Sequence, residues 1–180
     1  MVWKMNLLTY LALISITLKG FDSKRAGKTL YFSSYTVEFD KTYIQDHRLK
    51  LQNTSVDVIL NIARDFTQDP WIVTEIFVRE RRKPAFRKLI NYDVNVCHLL
   101  GKGDMNLITV WVQNFLKMGN LPRSCPIRKG NYSWYKIRPE KVNIPDVLPS
   151  AEYKVLIGTY FRNGKLRHSI DNLTFMGLLK

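Results

Sequence analysis

The sequence predicts a mainly β fold, a β-sandwich or an open barrel, with one amphipathic helix. Seven or eight short segments have the residue pattern of strands. Turn residues separate these segments at a spacing of about ten residues, which is typical of such folds. One further segment has the periodicity of a helix, and the only two cysteines flank it.

The first strands are indicated by side chains of alternating polarity. Residues 31–39 and 56–62 alternate between apolar and polar positions, the pattern of a strand with one buried face. Leu49 and Leu51 mark a short strand before the second of these. Residues 71–78 are apolar at most positions, so this strand is expected to be covered on both faces.

The later strands are separated by turn signals. Lys83-Pro84 precedes an alternating segment over residues 86–96, and the end of that strand is expected to carry Cys97. Asn163-Gly164 is a typical signal for a two-residue hairpin turn. The remaining strand segments are residues 132–137, 153–161 and 165–176.

Residues 104–118 are predicted to form the helix. Asp104 is a suitable N-cap and Gly119 a suitable stop. The apolar stripe is wider than one contact surface requires, which leads to a hypothesis: the helix lies across the open edge of the sandwich, where Trp111 and Phe115 cover a cavity as a lid. The stripe consists of Ile108, Trp111, Val112, Phe115 and Leu116.

The first 20 residues are expected to be a cleavable signal peptide. A short basic segment precedes Leu7–Leu18, a run of twelve residues without a charge. This run is shorter than the roughly 20 residues that span a bilayer. Cleavage fits at Gly20 or, further on, at Ala26 or Gly27. Residues 21–180 are then expected to form a single domain that is secreted into the extracellular space.

The two cysteines, Cys97 and Cys125, are expected to form a disulfide bond. An isolated pair usually bridges in the oxidising compartment that an exported protein enters. The spacing of the pair does not match a metal site or a redox dithiol, so no metal and no cofactor are expected.

The chain is strongly basic. Its 28 Lys and Arg residues against 15 Asp and Glu give a formal net charge of +13. Such a charge attracts anionic partners, and export argues against nucleic acid as one of them. The densest basic surface is interpreted either as a solvated hairpin or as a surface that steers the protein toward a membrane receptor or channel. It consists of Arg79, Arg81, Arg82 and Lys83.

Three Asn-X-Ser/Thr sequons are glycosylation candidates. They begin at Asn53, Asn131 and Asn172. Each is expected to carry a glycan if it lies on an exposed surface of an exported protein.

The residues give no sign of a catalytic site. His47, His98 and His168 lie in separate segments without the motifs of hydrolases or metalloproteases around them. Gly101-Lys102-Gly103 lacks the spacing of a phosphate-binding loop. The protein is therefore expected not to be an enzyme.

Aromatic side chains are plentiful enough to line an apolar pocket. Each of them could instead fill the core, and a filled core would favour a protein-interaction module without a ligand cavity. The ligand-pocket candidates are Trp71, Phe77, Trp111, Phe115, Trp134 and Tyr153.

The segment from Tyr92 to Tyr160 carries several motifs in a fixed order. In that order they resemble a family of secreted insect domains of unknown function that includes the CheB-type gustatory proteins. That family is thought to be related to the ML lipid-recognition superfamily of ganglioside activator and myeloid differentiation type. The motifs are Asp93-Val94-Asn95-Val96-Cys97, the helix to Lys117, Asn120-Leu121-Pro122-Arg123-Ser124-Cys125-Pro126, Gly130-Asn131-Tyr132, and Leu148-Pro149 before Tyr153.

The resemblance implies an immunoglobulin-like β-sandwich or cup that holds an apolar ligand between its sheets. The implied function is a secreted, non-enzymatic carrier of a small hydrophobic ligand, either a lipid or a pheromone-like molecule, in a chemosensory setting. Many extracellular ML domains have more than one disulfide, whereas this chain offers one cysteine pair. The alternative is a secreted protein-interaction module that acts on a cell-surface receptor or channel.

Overall fold

The computed structural model describes residues 28–101, 107–138 and 148–180. The signal peptide expected over residues 1–20 lies outside the described residues. Neither helix in the described part of the chain is long and apolar enough to cross a membrane.

The described residues form eight strands and two helices. In chain order these are β1 (Leu30–Phe39), β2 (Ile44–Leu51), β3 (Val56–Ile62), β4 (Pro70–Arg79), β5 (Arg87–Asn95), α1 (Val96–Leu100), α2 (Leu107–Lys117), β6 (Gly130–Ile137), β7 (Glu152–Asn163) and β8 (Leu166–Leu179).

The strands form two antiparallel sheets, which confirms the predicted β-sandwich. The larger sheet has the order β1-β8-β7-β4-β5, and the smaller sheet has the order β2-β3-β6. The edge strands β1 and β2 lie side by side, because a tight turn at Asp40 joins them and the backbone N–H of Phe32 donates to Asn53 O at the other end. The opposite edges, β5 and β6, are separated in sequence by both helices.

The larger sheet has an inner face toward the smaller sheet and an outer face away from it. In β4 the inner face carries Ile76 and Val78, which are buried. The outer face carries Trp71 and Phe77, which were expected to meet a second packing layer. Cationic side chains cover these two rings instead: the Arg162 guanidinium lies over Trp71, and the Lys88 ammonium lies over Phe77.

The core consists of two clusters at opposite ends of the sandwich. The larger cluster lies between the two sheets, and the smaller cluster lies at the end where β7 begins and β8 ends. The buried residues of the larger cluster are Ile44, Leu49, Val56, Val58, Ile62, Phe66, Val96, Ile127, Tyr132, Trp134, Ile137, Phe161 and Ile170. Those of the smaller cluster are Ile76, Val78, Ala151, Tyr153 and Leu179.

Two element boundaries differ from the prediction. β5 ends at Asn95, and Cys97 lies in α1 rather than at the end of the strand. The side chain of Asn95 accepts a hydrogen bond from the backbone N–H of His98 at 3.0 Å, so it caps a new helix where the alternation suggested more strand. α2 covers Leu107–Lys117, and its expected N-cap, Asp104, lies outside the described residues.

The predicted hairpin between the last two strands is confirmed, with the turn one residue later. Asn163 still pairs with Leu166, so the two turn residues are Gly164 and Lys165. Gly164 has a φ of 59°, and glycine adopts such a value without steric cost.

Candidate functional site

Helix α2 joins the free edge of the larger sheet to the free edge of the smaller sheet. The hydroxyl of Thr109, a buried residue of α2, lies 3.2 Å from the hydroxyl of Tyr92 on β5. Toward the end of α2, the ring of Phe115 stacks on Trp134 of β6, with centroids 5.4 Å apart and an interplanar angle of 16°. The helix therefore closes the sandwich at the edge where the two sheets separate.

The predicted disulfide bond fastens the same edge. Cys97 in α1 is bonded to Cys125, which lies just before β6, and their Cα atoms are 5.5 Å apart. The two residues are separated by 28 positions in the sequence, and α2 lies between them. The segment that carries the helix is thus tied at both of its ends.

A strip of half-buried side chains crosses the inner face of the larger sheet between the two core clusters. By contrast, Ile170 in one cluster and Val78 in the other are 0% and 1% exposed. Packing on this strip is therefore less complete than in the two clusters, although Val37 and Leu173 contact the larger one. We call it the central strip: Tyr92, Thr74, Ile157, Leu173 and Val37, which are neighbours in cross-strand register.

A buried hydrogen-bond donor lies where α2 ends. Trp134 is 4% exposed, and its Nε1–H has no acceptor among the described residues. A Cβ atom on Gly119 would collide with this nitrogen, so a glycine here gives the indole its space. Buried donors are rarely left unpaired in folded proteins. This N–H is therefore an exception among the described residues, enclosed by Gly119 and by the stacked ring of Phe115.

Three of the six ligand-pocket candidates belong to the interior side of the sandwich. Trp134 is part of the larger core cluster, and Phe115 packs against it. Tyr153 lies in the smaller cluster, where burial raises the pKa of its hydroxyl and where that hydroxyl donates to Pro149 O at 2.9 Å. The side chain of Trp111 lies outside the described residues.

The other two candidates, Trp71 and Phe77, face away from the interior. Both lie on the outer face of β4, so the structure does not bring them together with Phe115 and Trp134. Trp71 instead lines an outer groove of about 600 Å³.

The three histidines remain apart, as their positions in the sequence suggested. His47 Nδ1 forms a buried hydrogen bond with Asp171 Oδ1 at 2.9 Å. His168 Nε2 lies 3.1 Å from Asp40 Oδ2 near the surface, and hydrogen bonds led by the Thr42 N–H lower the pKa of Asp40.

A metal site at the disulfide is not supported by its chemistry. The carboxylate of Asp69 lies within 4.8 Å of both cysteine sulfurs. Metal ligation by cysteine requires a thiolate, and Cys97 and Cys125 are bonded to each other.

Three of the four residues of the predicted basic surface have exposed side chains without an ion-pair partner among the described residues. Arg81, Arg82 and Lys83 lie at the exposed tip of the β4–β5 hairpin. The fourth residue, Arg79, is instead bound to Glu152 through its Nε at 3.0 Å and stacks over the ring of Phe86. We call the three exposed residues the basic tip.

All three sequon asparagines are exposed, namely Asn53, Asn131 and Asn172. Each position is therefore compatible with a glycan, and glycosylation stays a prediction.

Comparison with known proteins gives a match to one family model. No curated protein matches the sequence significantly. The matched segment, residues 72–155, runs from β4 through the disulfide-closed segment and β6 to the start of β7, so it includes α2 and two of the five strands that carry the central strip. Residues 72–155 match the model of a family described as Protein of unknown function (DUF1091).

Proposed function

We propose that this protein is a secreted, non-enzymatic carrier of a small hydrophobic ligand, which binds between the two sheets. The central strip is the observation that supports this proposal. It presents half-buried apolar side chains inside the sandwich, and α2 covers the edge beside it. A predominantly apolar lining with few polar groups is what small-molecule sites share.

The resemblance to other domains supports the same class of ligand. Residues 92–160 resemble the CheB-type gustatory proteins of insects, and that family is thought to be related to the ML lipid-binding domains. We therefore propose a lipid or a pheromone-like molecule as ligand and a chemosensory setting as its context. The match to a family of unknown function is compatible with this and names no ligand.

The chemistry of binding would be desolvation. Each methylene group that leaves water contributes about 0.8 kcal/mol, so a long chain binds with few polar contacts.

We expect the substitution Ile157→Trp to weaken uptake of a fluorescent fatty acid at least about tenfold, equivalent to about 1.4 kcal/mol. The indole would occupy the space above the central strip that the ligand needs. Titration with 11-(dansylamino)undecanoic acid measures the affinity, and native mass spectrometry of protein purified from its source detects a retained ligand.

The matched control is Leu156→Trp. Leu156 is the preceding residue of β7, so its side chain points to the outer face, where the same enlargement leaves the interior unchanged. A second filling variant, Thr74→Phe, enlarges the neighbouring position of the strip. If both inner variants remain folded and bind the probe as tightly as the control, the ligand does not lie between the sheets.

The basic tip favours a second candidate function, a protein-interaction module that acts on a receptor or channel at a cell surface. Arg81, Arg82 and Lys83 are exposed and form no ion pair with any described residue, whereas nearby Arg87 is bound to Glu80. Unpaired cations on a protruding turn attract an acidic partner surface and accelerate the encounter.

Charge reversal tests the basic tip. We expect the triple variant Arg81→Glu, Arg82→Glu, Lys83→Glu to elute from immobilised heparin at a lower salt concentration than the wild type, because clustered cations bind a polyanion together. Lys41→Glu, Lys50→Glu, Lys129→Glu is the control, since these exposed residues are dispersed and the total change in charge is equal. Equal shifts in the two variants would show that the tip has no special role.

A further inference from the structure

The outer face of the larger sheet has a groove that the proposed carrier function does not use. It lies where β4 begins, β5 ends and α1 starts, on the opposite face from the central strip. Its volume is about 600 Å³, and it is shallow and open to solvent. The groove is lined by Asp69, Trp71, Asp93, Val94, Asn95 and His98.

The aromatic member of the groove is fixed in place. Trp71 pairs with Asn95 on one side and with Tyr160 on the other, in register across three strands. The guanidinium of Arg162 lies 3.7 Å from the centroid of the indole ring. One face of the indole is thus covered by Arg162, and the remaining surface of this half-buried ring lines the base of a polar groove.

The carboxylate of Asp93 is also held in one orientation. It accepts hydrogen bonds from the hydroxyl of Tyr160 at 2.6 and 2.7 Å, from Arg162 at 3.1 Å and from Arg167 at 2.8 Å. Burial and the hydrogen bond to Asp93 raise the pKa of Tyr160. Both cations act on Oδ2, so Oδ1 keeps acceptor capacity and the two positive charges offset the carboxylate.

The remaining polar groups of the groove are only partly used. Asn95 donates to Asp69 Oδ2 at 3.4 Å, and its amide has a second N–H. Asp69 forms no ion pair with any described residue, and it is exposed. The ring of His98 is exposed and makes no hydrogen bond within the described part of the chain. The groove therefore offers donors and acceptors side by side.

This combination selects among ligand classes. The carboxylates of Asp69 and Asp93 are matched in number by the guanidinium groups of Arg162 and Arg167, so the groove has no excess charge that would select an anion or a cation. A purely apolar ligand would leave the polar groups without partners. A neutral ring that carries several hydroxyl groups satisfies all of them, because each hydroxyl both donates and accepts while the C–H face of the ring packs on Trp71.

We propose that the groove at Trp71 binds a neutral sugar, with the indole as the platform and Asp69, Asp93, Asn95 and His98 as hydrogen-bonding partners. The sugar is either a free oligosaccharide or the terminal unit of a glycan on a glycoprotein. The site is independent of the interior proposed for the hydrophobic ligand, because the two lie on opposite faces of the same sheet.

Saturation-transfer NMR with the full chain tests the proposal. The probes are maltotriose, mannotriose and triacetylchitotriose at millimolar concentration, and a high-mannose glycopeptide distinguishes a glycoprotein glycan from a free sugar. We expect signal transfer to the C–H groups of at least one of these probes. Trp71→Ala is expected to weaken that binding at least about tenfold, and Trp71→Phe less, because a smaller ring keeps part of the platform.

Two further variants keep the test independent of folding. Phe77→Ala removes an aromatic ring from the same face of the same strand and is expected to leave sugar binding unchanged. Asp69→Ala alters an exposed residue, so the fold is retained, and it is expected to weaken binding through the loss of an acceptor. The proposal is overturned if none of the probes binds, if choline or a sulfated sugar binds in their place, or if folded Trp71→Ala and Asp69→Ala bind like the wild type.

Discussion

Replacing His47 by leucine is expected to lower the free energy of unfolding by about 1–3 kcal/mol, because it leaves the buried carboxyl group of Asp171 without its hydrogen-bond partner. His47 on β2 and Asp171 on β8 join the two sheets through a hydrogen bond of 2.9 Å, and their side chains are only 6% and 9% exposed. Urea denaturation monitored by tryptophan fluorescence measures the loss.

The partner substitutions show whether pairing is the cause. Asp171→Asn keeps an oxygen for the hydrogen bond, so its cost should be smaller, about 1–2 kcal/mol. The double variant His47→Leu, Asp171→Leu removes both polar groups and should be more stable than His47→Leu alone. The single variant Asp171→Leu completes the cycle. If the loss of stability in the double variant equals the sum of the losses in the two single variants, the residues contribute independently, and the pair does not link the sheets energetically.

The strand pattern of this fold could be predicted from the sequence because most strands have one buried face. Alternation marked residues 31–39 and 56–62 correctly, and it failed at the end of β5. There Val96 is 4% exposed, but it is buried as the first residue of α1. Alternation records burial only, so it cannot distinguish a buried strand residue from a buried helical residue that follows it directly.

The candidate site was less predictable, because face assignments depend on register. Trp71 and Phe77 were grouped with Trp134 by residue type, yet β4 places them on the outer face. The sequence does contain a signal that separates Trp71 and Phe77 from Trp134. Ile76 and Val78 occupy the even-numbered positions of β4 and are buried, so the odd-numbered positions 71 and 77 must lie on the opposite face of that strand.

Hydrogen bonds between polar residues that are far apart in the sequence could not be predicted from the sequence pattern. The hydrogen bond between His47 and Asp171 spans 124 positions, and the one between Tyr160 and Asp93 spans 67. Both depend on which strands become neighbours, and a single sequence does not contain that information. The disulfide was the exception, since two cysteines allow one pairing.

Removal of that disulfide is expected to destabilise the protein by about 3–4 kcal/mol, from the loop entropy of a closure of this length. The variant is Cys97→Ser, Cys125→Ser, and urea denaturation again gives the free energy of unfolding. Because the bond ties both ends of the segment that holds α2, the loss of stability should be larger near this segment than in the rest of the protein. Hydrogen exchange in α2 and β6 should accelerate more than exchange in the central strands β7 and β8.

Chemically reduced wild type is the control for the serine pair, and its unfolding midpoint should match that of the variant. A uniform increase in exchange would mean that the bond acts only on the unfolded chain. A selective increase in α2 would mean that the bond also holds the contacts between Phe115 and Trp134 and between Thr109 and Tyr92. In that case the serine pair should also bind the dansylated fatty acid less tightly than the wild type, because the wall beside the central strip would open.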